Sequence, residues 1–217
     1  MSPSRRAQDA AQLVVFAAQN NFLDSGREAL CRSLLPPEMW EAILRYRQER
    51  DRRQRLLARL LLAVALRRLE GWPERLVLER LEHEAAGRPW VRGCSWRISF
   101  SHAGEWVVCA LGRAVGEIGV DVESIRPLDL GDFRQIFSAR EWRAILDAPS
   151  SERELLRYWT LKEAVLKTRG LGLLATEDEI RAAGSGAEIW MHLPLAPGYW
   201  LTVAAQQPWQ RLQLERL

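Results

Sequence analysis

Residues 96–123 constrain this chain more than any other stretch. Three apolar segments with strand character follow closely there: Trp96 to Ser101, Trp106 to Leu111 and Val115 to Glu123, with Gly104 and Gly112 at the turns. So close a succession reads as a meander. Its last segment carries Gly119-Val120-Asp121-Val122-Glu123. Strand side chains alternate between faces, so Asp121 and Glu123 share one face. Two like charges on so apolar a strand are costly unless a cation or basic group neutralises them. The plain alternative is a pair of solvated carboxylates at a strand end.

About forty residues later, Trp159-Thr160-Leu161-Lys162-Glu163-Ala164-Val165-Leu166-Lys167 falls on a predicted helix. Residues three and four apart share a helix face, which lines up Trp159, Glu163 and Lys167, with Lys162 beside them. Alone, Glu163 and Lys167 could be an ordinary exposed helix pair. Three acids with flanking lysines instead suit a magnesium ion holding a phosphate-bearing ligand.

The remaining elements are read from periodicity and punctuation. Leu13 to Ala18 predicts a first buried strand. Pro36-Pro37 opens one long helix from Glu38 to Glu70, with Leu57, Leu60, Leu61 and Val64 as its core stripe and Gly71-Trp72-Pro73 as its stop. Leu76 to Glu82 alternates like a strand, and Gly87-Arg88-Pro89 marks a turn. Ser138 with Glu141 and Ser151 with Glu154 fit capping boxes, the second opening a helix that stops at Gly170. Glu188 to Leu193 and Tyr199 to Ala205 read as strands around a Pro194 to Gly198 turn. Helix then strands, twice over, predicts an α+β (α/β) chain of two similar, tightly packed halves, residues 1–115 and 116–217, the second carrying the acidic motifs.

Composition narrows the function classes. Of 217 residues, 47% are hydrophobic and 27% charged, ordinary for a soluble domain, and the net charge of +3 favours an anionic partner. Cys31, Cys94 and Cys109 are odd in number and lack Cys-x-x-Cys spacing, which argues against disulfides or zinc and for a reducing cytoplasm. Arg5-Arg6 before Leu13 to Ala18 faintly resembles an export signal, but the apolar run is too short and no clean cleavage site follows. No segment approaches the length of a transmembrane helix. His102 is either a hydrogen-bonded turn residue or a phosphate donor. The basic run Arg45, Arg47, Arg50, Arg52, Arg53, Arg55 and Arg59 is either a solvated helix face, a phosphate-binding surface or, without a supporting RNA or DNA motif, a nucleic-acid contact.

The order and spacing of these motifs resemble the 4′-phosphopantetheinyl transferases of the surfactin-synthetase-activating type. That family's Gly-(Ile/Val)-Asp-x-Glu motif matches residues 119–123, and its Trp-x-x-Lys-Glu-(Ala/Ser)-x-x-Lys motif matches 159–167. Ser101-His102 with Trp106, Gly87-Arg88-Pro89, Phe137 to Glu141 and Gly170-Leu171-Gly172 match its accompanying features. A family asparagine is Ser99 here, and Val122 stands where some members carry a metal-ligating glutamine.

The resemblance implies a Mg²⁺-dependent enzyme that moves the 4′-phosphopantetheine of coenzyme A to a serine of an apo acyl or peptidyl carrier protein, releasing 3′,5′-ADP. It implies metal ligands Asp121, Glu123 and Glu163, with Glu163 also the candidate base. Arg88, Ser101 and His102 would meet the coenzyme phosphates, with Arg53 and Arg55 as further contributors. Lys167 and Lys162 would stabilise charge on the pyrophosphate. A cytoplasmic monomer with neither nucleic-acid nor membrane partners is expected. A catalytically inert module binding nucleic acid or an acidic protein, and a magnesium phosphodiesterase, are the competing readings.

Overall fold

A strand buried on both faces reads as an unbroken apolar run, and β1 (Gln12–Gln19) is one. Val14, Phe16 and Ala18 point into one core, and Leu13, Val15 and Ala17 into another. In the computed structural model, which describes residues 10–217, β1 pairs antiparallel with β5 (Trp106–Arg113). The first sheet runs β4-β5-β1-β9, with β4 spanning Arg97–Ala103 and β9 Arg211–Arg216. The parallel strand β9 was missed from sequence. Arg5 and Arg6, which prompted the export-signal comparison, lie outside the described residues.

Helices cover one face of this sheet. The expected single helix over 38–70 is two, α2 (Pro37–Leu44) and α3 (Glu49–Glu70), with α1 (Ser25–Leu34) before them. In the gap between α2 and α3 the Arg52 guanidinium donates to the Tyr46 and Arg47 carbonyls, at 2.9 and 3.3 Å. Leu57, Leu60 and Leu61 are buried as expected, and Gly71, at φ +71°, closes α3. The strand expected over Leu76 to Glu82 is instead α4 (Glu74–Glu79) followed by the short β2 (Leu81–His83). Adjacent Val77 and Leu78 are both buried, which a one-faced strand does not allow. β2 and β3 (Pro89–Val91) form a hairpin whose turn holds Gly87-Arg88.

The meander also fails at its last strand. Ala114 and Gly116 take positive φ, 55° and 70°, and turn the chain out of the first sheet. β6 (Ile118–Ser124) starts a second sheet, ordered β6-β8-β7, with β7 spanning Ile189–Leu193 and β8 Tyr199–Ala205. Instead of a backbone ladder, serines join β6 to β4: the Val120 and Val122 amides donate to Ser99 and Ser101 hydroxyls at 3.1 and 3.3 Å. The two sheets share the core of Leu13, Val15, Val120, Val122, Leu201 and Val203. The fold is α+β.

On the outer side of the second sheet lie α5 (Ala139–Asp147), α6 (Ser151–Arg169) and α7 (Glu177–Ala182). The Ser138/Glu141 capping box forms. The one expected at Ser151/Glu154 does not: Ser150 caps α6, and Glu154 turns to Arg157 at 2.6 Å. A further box, Thr176/Glu179, opens α7. Gly170, at φ +74°, ends α6 as read.

A polar chain pins α6 to this sheet. His192 Nδ1 and the Thr202 hydroxyl are 2.8 Å apart, and Thr202 donates to the Thr160 hydroxyl at 3.0 Å. Burial first, then the Arg157 cation, lowers the His192 pKa to about 4, against a weaker opposing effect of Glu154. The folded protein therefore resists a proton that the unfolded chain accepts below about pH 6.5. Stability from this residue is complete above that pH and lost as pH falls towards 4. Discounted for partial exposure, the loss is about 1–2 kcal/mol. Denaturant titrations at pH 7 and pH 4.5 are expected to show that His192→Gln loses correspondingly less stability than the parent on acidification.

Candidate active site

β6 must lie almost flush on α6 for its acids to reach the helix. Gly119 permits this: a Cβ there would land on the Ala164 carbonyl oxygen and within 2.9 Å of the Lys167 Cβ. The approach brings Asp121 to Lys167, whose ammonium donates to Asp121 Oδ1 at 2.8 Å. Lys167 also donates to the carbonyls of Val120 and Phe100, at 2.9 and 3.4 Å, and so spans β6 and β4. Ser101 adds a second hydrogen bond to Asp121 Oδ1 at 2.8 Å. Asp121 is only 6% exposed, and its Oδ2 is buried with no hydrogen-bond partner among the described residues.

Two further carboxyls crowd this one. Burial, then the Asp121 charge, pushes Glu163 up to about 7, with Glu123 adding to the rise and Lys167 opposing it. Burial also raises Glu123, against its hydrogen bond from Arg126 at 2.8 Å and one from the Trp159 indole. Trp159 itself packs edge-on to Phe133, ring centres 5.9 Å apart.

Above these groups opens a cavity of about 750 Å³ lined by both halves of the chain. α6 contributes Glu163 and Lys167, β4 contributes Ser101 and His102, the β2–β3 turn contributes Arg88, and α3 contributes Arg55. Arg88 is oriented by the Lys167 and Thr168 carbonyls, at 3.4 and 3.0 Å, and by Glu117 at 3.2 Å. Burial, then Arg55 and Lys167, lowers the His102 pKa, which favours the neutral ring, a donor through one nitrogen. The wall is thus cationic, and Glu163 supplies the acid of the floor, with Asp121 behind Lys167.

Among the described residues, no three His, Cys, Asp or Glu side chains form a ready-made metal cage. The donor chemistry nevertheless fits a hard divalent ion. An unpartnered buried carboxylate oxygen sits beside two carboxyls driven towards protonation, and all the donors are oxygens. Asp121, Glu123 and Glu163 are the residues that would hold Mg²⁺.

Two expected coenzyme contacts lie elsewhere. Lys162 is fully buried away from the cavity, its ammonium 3.0 Å from Glu141. Adjacent helix residues diverge by about 100°, so Lys162 cannot share the direction of Glu163. Arg53 is held by Glu28 at 2.7 Å and by the Leu23 carbonyl at 2.5 Å, bracing α3 against α1. Arg59, named only as a member of the basic run, and His83, not singled out, also line the cavity. Arg59 sits one turn beyond Arg55, so the helical period could have found it; its Nε is buried and unpartnered, and burial lowers its pKa to about 10. His83 left no signal: it lies one residue beyond the Leu76 to Glu82 segment read as a strand.

Comparison with known proteins agrees with this arrangement. Residues 117–188 match the model of the 4′-phosphopantetheinyl transferase superfamily, and residues 27–113 match that of the 4′-phosphopantetheinyl transferase N-terminal region. The 4′-phosphopantetheinyl transferase psf-1 of Bacillus pumilus is 32% identical over 166 residues, covering 73% of this chain and 70% of the relative. Sfp of Bacillus subtilis (strain 168), also a 4′-phosphopantetheinyl transferase, is 26% identical over 193 residues, covering 81% and 84%. A third, gsp of Aneurinibacillus migulanus, is 28% identical over 162 residues, covering 74% and 66%. The chain with its acidic floor and cationic wall belongs to the 4′-phosphopantetheinyl transferase superfamily, in its Sfp-like branch.

Proposed function

We propose that this protein transfers the 4′-phosphopantetheine group of coenzyme A to a serine of an apo carrier protein, acyl or peptidyl, in a Mg²⁺-dependent reaction. The observation that carries the reading is that Glu163 and Lys167 line one cavity with basic walls, while Asp121, from a distant motif, is bound to Lys167 at 2.8 Å and raises the Glu163 pKa.

Arg55, Arg59, Arg88 and His102, which line the cavity, suit the phosphates of the coenzyme. Bound at Asp121, Glu123 and Glu163, Mg²⁺ would neutralise charge on the pyrophosphate oxygens. Glu163, which lines the cavity, is placed to take the proton of the carrier serine, directly or through a water. The serine oxygen then forms its bond to the β-phosphorus as the bond to the bridging oxygen breaks, and 3′,5′-ADP departs with the electron pair. Lys167, fixed by three acceptors, holds its positive charge beside the reacting phosphates at no cost in reorganisation. Positioning and electrostatics supply most of such a phosphoryl-transfer rate.

The arginines of α3 do not form a free basic stripe: Arg52 and Arg53 are bound within the protein and Arg55 and Arg59 face the cavity. This favours a small phosphorylated ligand over nucleic acid. We place the enzyme in the cytoplasm, on the strength of its three free cysteines, and propose that it acts as a monomer. Among the described residues no helix is long and apolar enough to cross a membrane. We also propose a division near residue 115, with β9 crossing back to the first half.

Intact-mass spectrometry of apo acyl and peptidyl carrier proteins, incubated with enzyme, coenzyme A and Mg²⁺, tests the reading. A gain of one phosphopantetheine is expected on at least one carrier, and none across a varied panel would overturn it. Glu163→Gln is expected to slow the gain about 10²–10³-fold while the protein stays folded. Consumption of coenzyme A at an equal rate without any carrier would favour a phosphodiesterase.

A further inference from the structure

Lys162 and Glu163 are neighbours in the chain but serve opposite sides of α6. Glu163 lines the cavity, whereas Lys162 has no exposed surface. A buried ammonium is tolerated only when its donors are used, and all three of them are. It donates to the Arg181 carbonyl at 2.9 Å and the Ala183 carbonyl at 3.2 Å, at the end of α7, and it meets Glu141 Oε1 at 3.0 Å. Glu141 is committed in turn: its Oε2 accepts from the Ser138 amide and hydroxyl, both at 2.8 Å, closing the capping box of α5. Around this cluster stand Phe137 and Ala183, each 1% exposed. One ammonium therefore ties α6 to the start of α5 and the end of α7.

We infer that Lys162 is a positioning residue, not a phosphate contact: through Glu141 and the α7 carbonyls it fixes the roll of α6, and with it the direction in which Glu163 and Lys167 enter the cavity. The inference deepens the transferase reading and rests on it. A helix free to rotate by a fraction of a turn would carry Glu163 off line by an ångström or more, and such a misplacement can cost about a hundredfold in rate. The groups proposed to hold the coenzyme phosphates sit mainly on α3, the β2–β3 turn and β4; of these Arg88 leans on the end of α6 through backbone carbonyls, and it is also held by Glu117. The rate of transfer and the affinity for coenzyme A should therefore separate.

The experiment compares kcat and the KM for coenzyme A in the parent, Glu141→Gln, Lys162→Met and the double variant, each below its own thermal transition. Glu141→Gln is the sensitive member, because glutamine can keep the capping box while removing the ionic partner of Lys162. It is expected to lower kcat about tenfold with KM for coenzyme A unchanged within twofold. Lys162→Met should lower kcat further in the same pattern, and the double variant should fall no lower than Lys162→Met, since both act through one contact. An undiminished kcat in Glu141→Gln overturns the inference, even if its melting temperature drops, because the link would then be merely structural. So does a KM for coenzyme A that rises more than kcat falls in Lys162→Met. An inert parent overturns the transferase reading and this inference with it, whereas an active parent with a fully active Glu141→Gln overturns this inference alone.

Discussion

Asp121→Ala is expected to reduce carrier modification at least about 10³-fold and to destabilise the protein by about 2–3 kcal/mol. Asp121 accepts from Lys167 and Ser101 through one oxygen, and the other is buried with no hydrogen-bond partner among the described residues. Removing it takes away the most enclosed of the proposed metal ligands and leaves the Lys167 charge with only two carbonyls to satisfy it. The two losses can be separated. Adding Lys167→Met should recover much of the stability, because no unpaired charge remains, and none of the activity. Intact-mass kinetics with chemical denaturation would measure both, and activity within tenfold of the parent in Asp121→Ala would remove this carboxylate from the site.

Gly119→Ala, the addition of one methyl group, should be nearly as damaging. The methyl would occupy the position of the Ala164 carbonyl oxygen, which belongs to backbone and cannot swing aside as a side chain would. Either β6 or α6 must retreat, and overpacking of this kind costs about 3 kcal/mol or more. For a chain of 217 residues that corresponds to a fall in melting temperature of roughly 6–12 °C. Retreat also lengthens the 2.8 Å contact between Lys167 and Asp121, so the surviving folded protein should transfer slowly. Differential scanning calorimetry and the carrier assay check the two parts, and a variant that melts with the parent would show that the strand and helix are not in close apposition.

Local rules carried much of this molecule. The buried alternation at Asp121 and Glu123, the helical spacing of Glu163 and Lys167, and the glycine stop at residue 170 depend on neighbours within a few residues, and they appear in the structure where expected. What escaped depends on distant partners. Nothing near Lys162 announces that Glu141 and two α7 carbonyls will enclose it, so a lysine in an acidic motif read as a ligand contact. Leu76 to Glu82 alternates well enough for a strand, and only the flank of α3 makes Val77 and Leu78 both worth burying. The turn at Ala114 and Gly116 sends β6 to another sheet for a reason visible only once serines 99 and 101 are beside it. Arg53 and Arg59 lie on one basic run, yet the packing of α1 claims the first and the cavity takes the second.

β9 gives the molecule an order of assembly. As a nascent chain, it can make β1, β4 and β5 early, but the outer edge of β1 stays unpaired until residues 211–216 have been synthesised. For most of translation that apolar edge is open to wrong partners. Closing it links positions almost the whole chain apart, a pairing that slows the final folding step. Deleting β9 should therefore injure the half made first, and a protease that cuts between β8 and β9 would loosen the sheet around β1 before it disturbed the acids on β6.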